Sequence, residues 1–284
     1  MELVRRTYAV RRHSAWKWVL QLLFLGYALS LIYPFVWMFI NSLKNNRAFY
    51  KSVWALPNTW EWSNYANAWQ EAHIGQYFLN SVWMTAVGTF TTVMSAALPA
   101  YVMAKYKFRG STFIYNLSIF SMLIPAIGTL GPWYLLMRNL GLFNEWGVML
   151  GYTAGIGFNM IVLMSFFKGI SWEYAEAAFI DGAGHFRVFF SVMLPLARPG
   201  LVAIATVTMI AIWNDYLNPY ILIQDPKRYT IGVGLFYLVE KQKYASDFTT
   251  LFAAMWIALL PVLIVYAFMQ EKLINGFTVG GIKG

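Results

Sequence analysis

Few residues in this chain have the types and spacings that chemistry needs. His13, His73 and His185 fall in three different segments with no H-E-x-x-H pattern, and cysteine is absent, so no metal ligand set is expected. Serines such as Ser95 and Ser118 lie in apolar runs without a histidine base, where the hydroxyl bonds to its own helix backbone. No G-x-x-x-x-G-K-[ST] stretch appears, and no other glycine-rich loop follows a strand, so this chain does not hydrolyse ATP by itself. The reading is of a non-catalytic chain with no catalytic residue, no metal and no cofactor of its own. Asn116-Leu117-Ser118 matches a glycosylation acceptor but falls inside an apolar run and is discounted.

Two polar clusters remain. The first is Glu173–Pro199, EYAEAAFIDGAGHFRVFFSVMLPLARP. Glu173 and Glu176 fall in the first turns of a short helix opened by Ser171, where a capping hydroxyl and negative charge are both favourable. Ala175, Ala177 and Ala178 carry little bulk, so another protein can approach closely. Gly182 and Gly184 let the backbone turn without steric cost, and Pro195 and Pro199 stop the chain. Phe186, Val188, Phe189 and Phe190 give the second piece an apolar side for the bundle or a partner. The bland alternative is an amphipathic helix on a membrane surface. The second cluster is Asp215, with Asn214 beside it and Asn218 nearly a turn later, inside an apolar run. An acid there is either a path or gate residue or a hydrogen-bonded helix contact, and both readings stay open. Glu145, before the fourth apolar run, is expected to be solvated.

The elements that must position these clusters are membrane helices. Of 284 residues 59% are hydrophobic and only 12% charged, about half the charge of an ordinary soluble domain. Six stretches approach the ~20 residues that cross a bilayer as helix: 18–40, 77–104, 112–137, 146–167, 201–223 and 251–270. They are continuous, unlike the alternating segments of a transmembrane barrel. The first is too long for a signal-peptide core and is read as retained. Pro99 and Pro125 should kink spans two and three.

Six spans put both termini on one side. Thirteen lysines and arginines then lie on that side and eight on the other, so the termini are expected in the cytoplasm. The net charge of +9 reflects topology rather than nucleic-acid binding. The expected organisation is a basic N-terminus (1–17), a six-span domain (18–272) and a cytoplasmic tail (273–284). Within the domain lie outside loops 42–76 and 224–248 and a cytoplasmic loop 168–198. Trp16, Trp18, Trp54, Trp60 and Trp62 look like interfacial belt residues, while Tyr216, Tyr220, Trp133 and Tyr134 fall on spans and could line a sugar path.

Glu176-Ala177-Ala178, then Gly182, then Val192-x-Leu194-Pro195 resembles the EAA loop of ABC-importer permeases, with Val192 in place of an isoleucine. Asp181-Gly182-Ala183, Trp213-Asn214-Asp215 and Gly276…Gly280-Gly281-Ile282-Lys283-Gly284 are similar to the carbohydrate-importing (MalG-like) subfamily. Asp215, Gly281 and Ile282 are conservative departures from it. The resemblance covers nearly the whole chain. It implies an all-α type I importer permease fold with the EAA coupling loop between spans four and five, in a bacterial inner membrane. It implies that Glu173, Glu176, Ala177, Ala178, Asp181, Gly182 and Pro195 meet an ATPase. Asn214, Asp215, Tyr216 and Asn218 are the candidates for a translocation path on the reading of the residues themselves. The implied partners are a second, homologous permease in a heterodimer, two ABC ATPase subunits holding ATP and magnesium, an extracytoplasmic solute-binding protein and a carbohydrate substrate. The rivals are an ion-coupled secondary transporter and an ABC importer for a non-sugar solute.

Overall fold

The computed structural model describes residues 2–70 and 72–281, with side chains over 16–270 apart from Glu71, Ala126 and Lys243. Ile282, Lys283 and Gly284 of the C-terminal motif lie outside the described residues, as do the side chains of Arg5, Arg6, Arg11, Arg12 and Lys272. All regular structure among the described residues is helical. The chain divides into two compact units, Met1–Glu71 with Lys241–Trp256, and Ala72–Glu240 with Ile257–Gly284.

The first unit holds α1 (Glu2–Ser42), α2 (Asn46–Lys51), α3 (Ser63–Gln70) and the first turns of α15 (Phe248–Gly281). The 42–76 segment, expected as an outside loop, holds α2 and α3. It is organised around Lys44, which is buried and donates to Asn41 Oδ1 (2.8 Å) and to the carbonyls of Ser52 and Val53. Burial pushes this ammonium below its usual pKa. Asn64 ties α3 to the same turn through the carbonyls of Ser42 and Lys44. Asp247 accepts from Asn46 (2.8 Å) and caps the start of α15 through Thr250. Burial works to raise its carboxyl, yet the bonds from Asn46, Thr250 and Thr249 outweigh it and hold it below the usual carboxylate range.

The second unit is built on α4 (Ile74–Lys105). Its small residues Gly88, Thr92, Ala96 and Ala100 recur every four positions, making one buried stripe that lets neighbouring helices approach closely. Against α4 pack α8 (Phe158–Gly169) and α12 (Arg198–Asn214). Around this centre run α5 (Ser111–Leu123), α6 (Ala126–Asn139), α7 (Glu145–Tyr152), α9 (Glu173–Ile180), α10 (His185–Val188), α11 (Leu194–Leu196), α13 (Leu217–Leu222) and α14 (Ile231–Ala245).

Three helices are individually long and apolar enough to cross a membrane: Trp16–Ser42, Ile74–Lys105 and Phe248–Gln270. Two pairs of helices are apolar enough together but bent by more than 40° at a short break, α5 with α6 and the 185–196 segment with α12. The expected continuous span at 112–137 is divided at Pro125, which has no N–H to continue a helix. Pro99, by contrast, sits inside an unbroken α4. The expected span at 146–167 is divided too. Its longer half, α8, has 12 residues, about 18 Å of helix against a hydrocarbon core of about 30 Å. The span at 201–223 breaks at Asp215 and Tyr216. α15 continues as helix to Gly281, past the expected start of the tail at 273.

Candidate functional site

The E-A-A, three residues, glycine spacing has a local cause. Glu173 and Glu176 open α9, and the Glu173 N–H donates to the Ser171 hydroxyl at 3.3 Å. The helix ends in a Schellman motif. Gly182 N–H reaches the Phe179 carbonyl (3.0 Å) and Ala183 N–H reaches that of Ala178 (2.9 Å). This requires Gly182 at φ +82°, a left-handed conformation that costs other residues about 1–2 kcal/mol. Pro195 offers no N–H to the carbonyl four residues back, and the turn before it widens to a π-helix at Phe189–Met193. The segment then bends by 79° into α12.

α9 has two faces. Ala175 is fully buried, and Trp172, Ala178 and Phe179 pack on the same core as Ala100, Tyr101, Leu163, Phe167 and Ile204. The outer face carries Glu173, Tyr174, Glu176, Ala177, Ile180 and Asp181, with Ile180 86% exposed. The expectation that all three alanines face a partner is therefore corrected. Ala175 and Ala178 let α9 approach its own bundle, and Ala177 alone of the three lies outward. The aromatic run divides similarly. Val188 and Phe189 are buried in the core, whereas Phe186 (73% exposed) and Phe190 face outward.

Three residues outside the motif fasten the loop to the end of α4. Lys105 Nζ donates to the Ile170 carbonyl. The Tyr106 hydroxyl bonds His185 Nδ1 at 2.8 Å, and the Tyr106 ring meets Trp172 edge-on. The His185 ring also lies 4.9 Å from that of Phe179. The sequence reading missed this anchoring, although His185 within the polar segment was its available signal. Because Phe189 is core, Phe189→Ala should cost about 3–5 kcal/mol and lower the melting temperature of the detergent-solubilised protein. Phe186→Ala should stay within about 0.5 kcal/mol of wild type in the same melt.

The second cluster sits where helices break. Thr153–Gly157 separates α7 from α8 and is drawn against α4, where Thr92 Oγ1 donates to the Tyr152 carbonyl. A Cβ on Gly155 would lie 2.4 Å from the Ala96 nitrogen, so only glycine allows this approach. At the break between α12 and α13, Asp215 Oδ1 accepts from the N–H groups of Leu217 and Asn218, capping α13. Asp215 Oδ2 accepts from the Tyr152 hydroxyl and from Asn218 Nδ2, both at 2.8 Å. The carboxylate thus joins one broken helix to another.

A cavity of about 550 Å³ opens at these breaks, lined by Thr129, Trp133, Tyr152, Asp215 and Asn218 with apolar residues between them. The structure brings Asp215, Asn218 and Trp133 together there. Tyr216 instead stacks on Phe236, Tyr220 packs on Phe236 and Tyr237, Tyr134 lies against Phe143, and Asn214 donates to the Ile210 carbonyl of its own helix. Tyr152 and Thr129 were not anticipated.

Glu145 is not solvated. It is buried at the start of α7 and paired with Arg228, 83 positions later. The Arg228 hydrogen bond, opposed by burial, holds its carboxyl below the usual range. A depressed carboxylate contributes stability above its unfolded pKa of about 4.3, and that contribution is lost as pH falls through the lower folded value. The melting temperature should therefore drop more steeply below pH ~4 in wild type than in Arg228→Gln, whose stability should already be reduced at neutral pH.

Comparison with known proteins gives a consistent picture. Residues 96–278 match the family model described as binding-protein-dependent transport system inner membrane component. The diacetylchitobiose uptake system permease protein NgcG of Streptomyces coelicolor is 35% identical over 90% of this chain and 86% of its own. The probable ABC transporter permease protein YurM of Bacillus subtilis is 33% identical over 99% of this chain and 91% of its own. Among solved structures, a chain of a bacterial ABC transporter that imports the acidic polysaccharide alginate aligns with a TM-score of 0.80 at 26% identity, covering 89% of this chain and 95% of that one.

Proposed function

The chain belongs to the binding-protein-dependent transport system inner membrane component family, and from that membership we propose that it forms half of the pore of an ATP-driven carbohydrate importer. The remaining half would come from a second, homologous permease in a heterodimer. Two ATPase subunits carrying ATP and magnesium would bind on the cytoplasmic side, and an extracytoplasmic binding protein would deliver the sugar outside. Six crossings are proposed: α1, α4, α5 with α6, α7 with α8, α12 with α13, and α15, with both termini cytoplasmic. Spans three, four and five are each broken.

The observation that carries this reading is the two-sided helix α9. Its inner face is built into the bundle core, and its outer face presents Glu176, Ala177 and Ile180, none of which belongs to the core among the described residues. A helix so fixed transmits force when a partner on its outer face moves. ATP-driven closure of the ATPases would draw the two permeases' loops together and turn the pore outward, and hydrolysis would reset it.

The cavity at the helix breaks supports a sugar path. Trp133 offers an apolar face, while the Asn218 side-chain carbonyl and the Tyr152 hydroxyl oxygen offer acceptors for a sugar's hydroxyls. No lysine or arginine occurs among its described lining residues, so the proposed cargo is an uncharged saccharide, unlike the acidic polysaccharide of the aligned importer. The test is uptake by proteoliposomes holding the whole importer and its binding protein. ATP inside should drive accumulation of a neutral oligosaccharide. Uptake driven by a proton or sodium gradient without ATP would overturn the assignment.

A further inference from the structure

A second cavity, of about 470 Å³, lies away from the helix breaks, between the last turns of α4 and the foot of the α9–α11 loop. That volume is within the ~300–1,000 Å³ of sites that hold small molecules. Its walls are Leu98, Val102, Phe108, Phe186 and Phe189, and Lys107 stands at its edge. Polarity changes along it in one direction. From Leu98 to the end of α4 at Lys105 the groove runs about 10 Å along a membrane-length helix and is lined by hydrocarbon. Beyond that point comes Lys107, which lines the groove, and two positions on in the chain Arg109, which is exposed and lies outside the lining.

The basic side chains divide by role. Lys105 is committed to the Ile170 carbonyl. Lys107 and Arg109 are exposed, and among the described residues neither has an ion-pair partner. Tyr106 and His185, also at this edge, are bonded to each other and so brace the groove. Phe186 and Leu98 remain exposed within the groove. Water is a poor occupant of such a slot, and a soluble anion would leave its walls uncovered.

We propose that the groove holds one anionic phospholipid, with an acyl chain along Leu98, Val102 and Phe186 and its phosphate against Lys107 and Arg109. The apolar run of about 10 Å covers the upper part of an acyl chain, the rest of which continues into a leaflet about 15 Å deep, and the charge at its end matches the headgroup. The lipid would lean on Phe186 and Phe189, which belong to the loop assigned above to coupling. Its effect on ATP turnover depends on that assignment; its binding does not.

Native mass spectrometry of the intact importer, titrated with phosphatidylglycerol or phosphatidylcholine, tests this directly. Two basic side chains near an anionic headgroup should favour phosphatidylglycerol by about five- to thirtyfold. The double variant Lys107→Glu, Arg109→Glu should lose that preference. Val102→Trp, which fills the groove, should lose both lipids, while ATPase co-purification, read from the same spectra, is retained in each case. Equal retention of both lipids by wild type would overturn the proposal, as would an unchanged preference in the double variant. So would a photocrosslinker at Phe108 that labels an ATPase or permease subunit rather than lipid in the assembled complex.

Discussion

Glu176→Lys and Ile180→Asp are each expected to release the ATPase from the membrane subunit while leaving the bundle folded. Both side chains lie on the outer face of α9, and neither belongs to the buried core that fixes the helix. An apolar residue exposed as fully as Ile180 is the kind of anchor that fills a partner's pocket. Losing such a hot spot costs about 2 kcal/mol or more, roughly thirtyfold in affinity. Pull-down of the ATPase by the permease should fall accordingly, and the permease's melting temperature should not move. Normal co-purification together with normal transport would show that this face docks nothing. Ala175→Lys serves as the contrasting variant, since a charge forced into the core should unfold the loop rather than only release a partner.

The second large effect is expected at Asp215. Alanine there removes the cap of α13 and leaves the Tyr152 hydroxyl and Asn218 amide without their acceptor. A lost cap costs about 0.5–2 kcal/mol. The break between α12 and α13 would then lose its tie to α7, and the cavity its shape. Substrate uptake should fall severalfold or more with ATPase binding intact. Asp215→Asn retains a capping oxygen and should recover much of the stability. Uptake at the wild-type level in Asp215→Ala would show that the joint serves packing alone.

Much of this was legible in the residues. Apolar content located the regions of the long helices, and the glycine and proline positions marked where the 173–199 segment turns. Even the two faces of α9 were present as a pattern. Trp172, Ala175, Ala178 and Phe179 recur at three- and four-residue spacing, as do Glu173, Glu176, Ala177 and Ile180. Reading the alanines by size alone, without that periodicity, turned all three outward.

The breaks were harder to see. Hydropathy averages over a window, and Thr153-Ala154-Gly155-Ile156-Gly157 is nearly as apolar as the helices beside it. Only its two glycines hint at irregular backbone. Asp215 read as an acid within a helix because its partner Tyr152 lies 63 positions earlier. The same reasoning explains Glu145, whose neutralising arginine is 83 positions away and invisible to local pattern. The groove beside α4 likewise arises from segments nearly 80 residues apart in sequence, joined by Tyr106 and His185.

The native chain has no cysteine, so one thiol can report the placement of α9 without background. Ile180→Cys in the permease freed of its ATPase should be labelled by a membrane-impermeant maleimide only from the cytoplasmic side, and docking in the assembled importer should shield it. It should also crosslink to an ATPase subunit in a yield that changes when ATP is added. Labelling of that cysteine from outside intact cells, or its failure to reach any ATPase, would contradict the account.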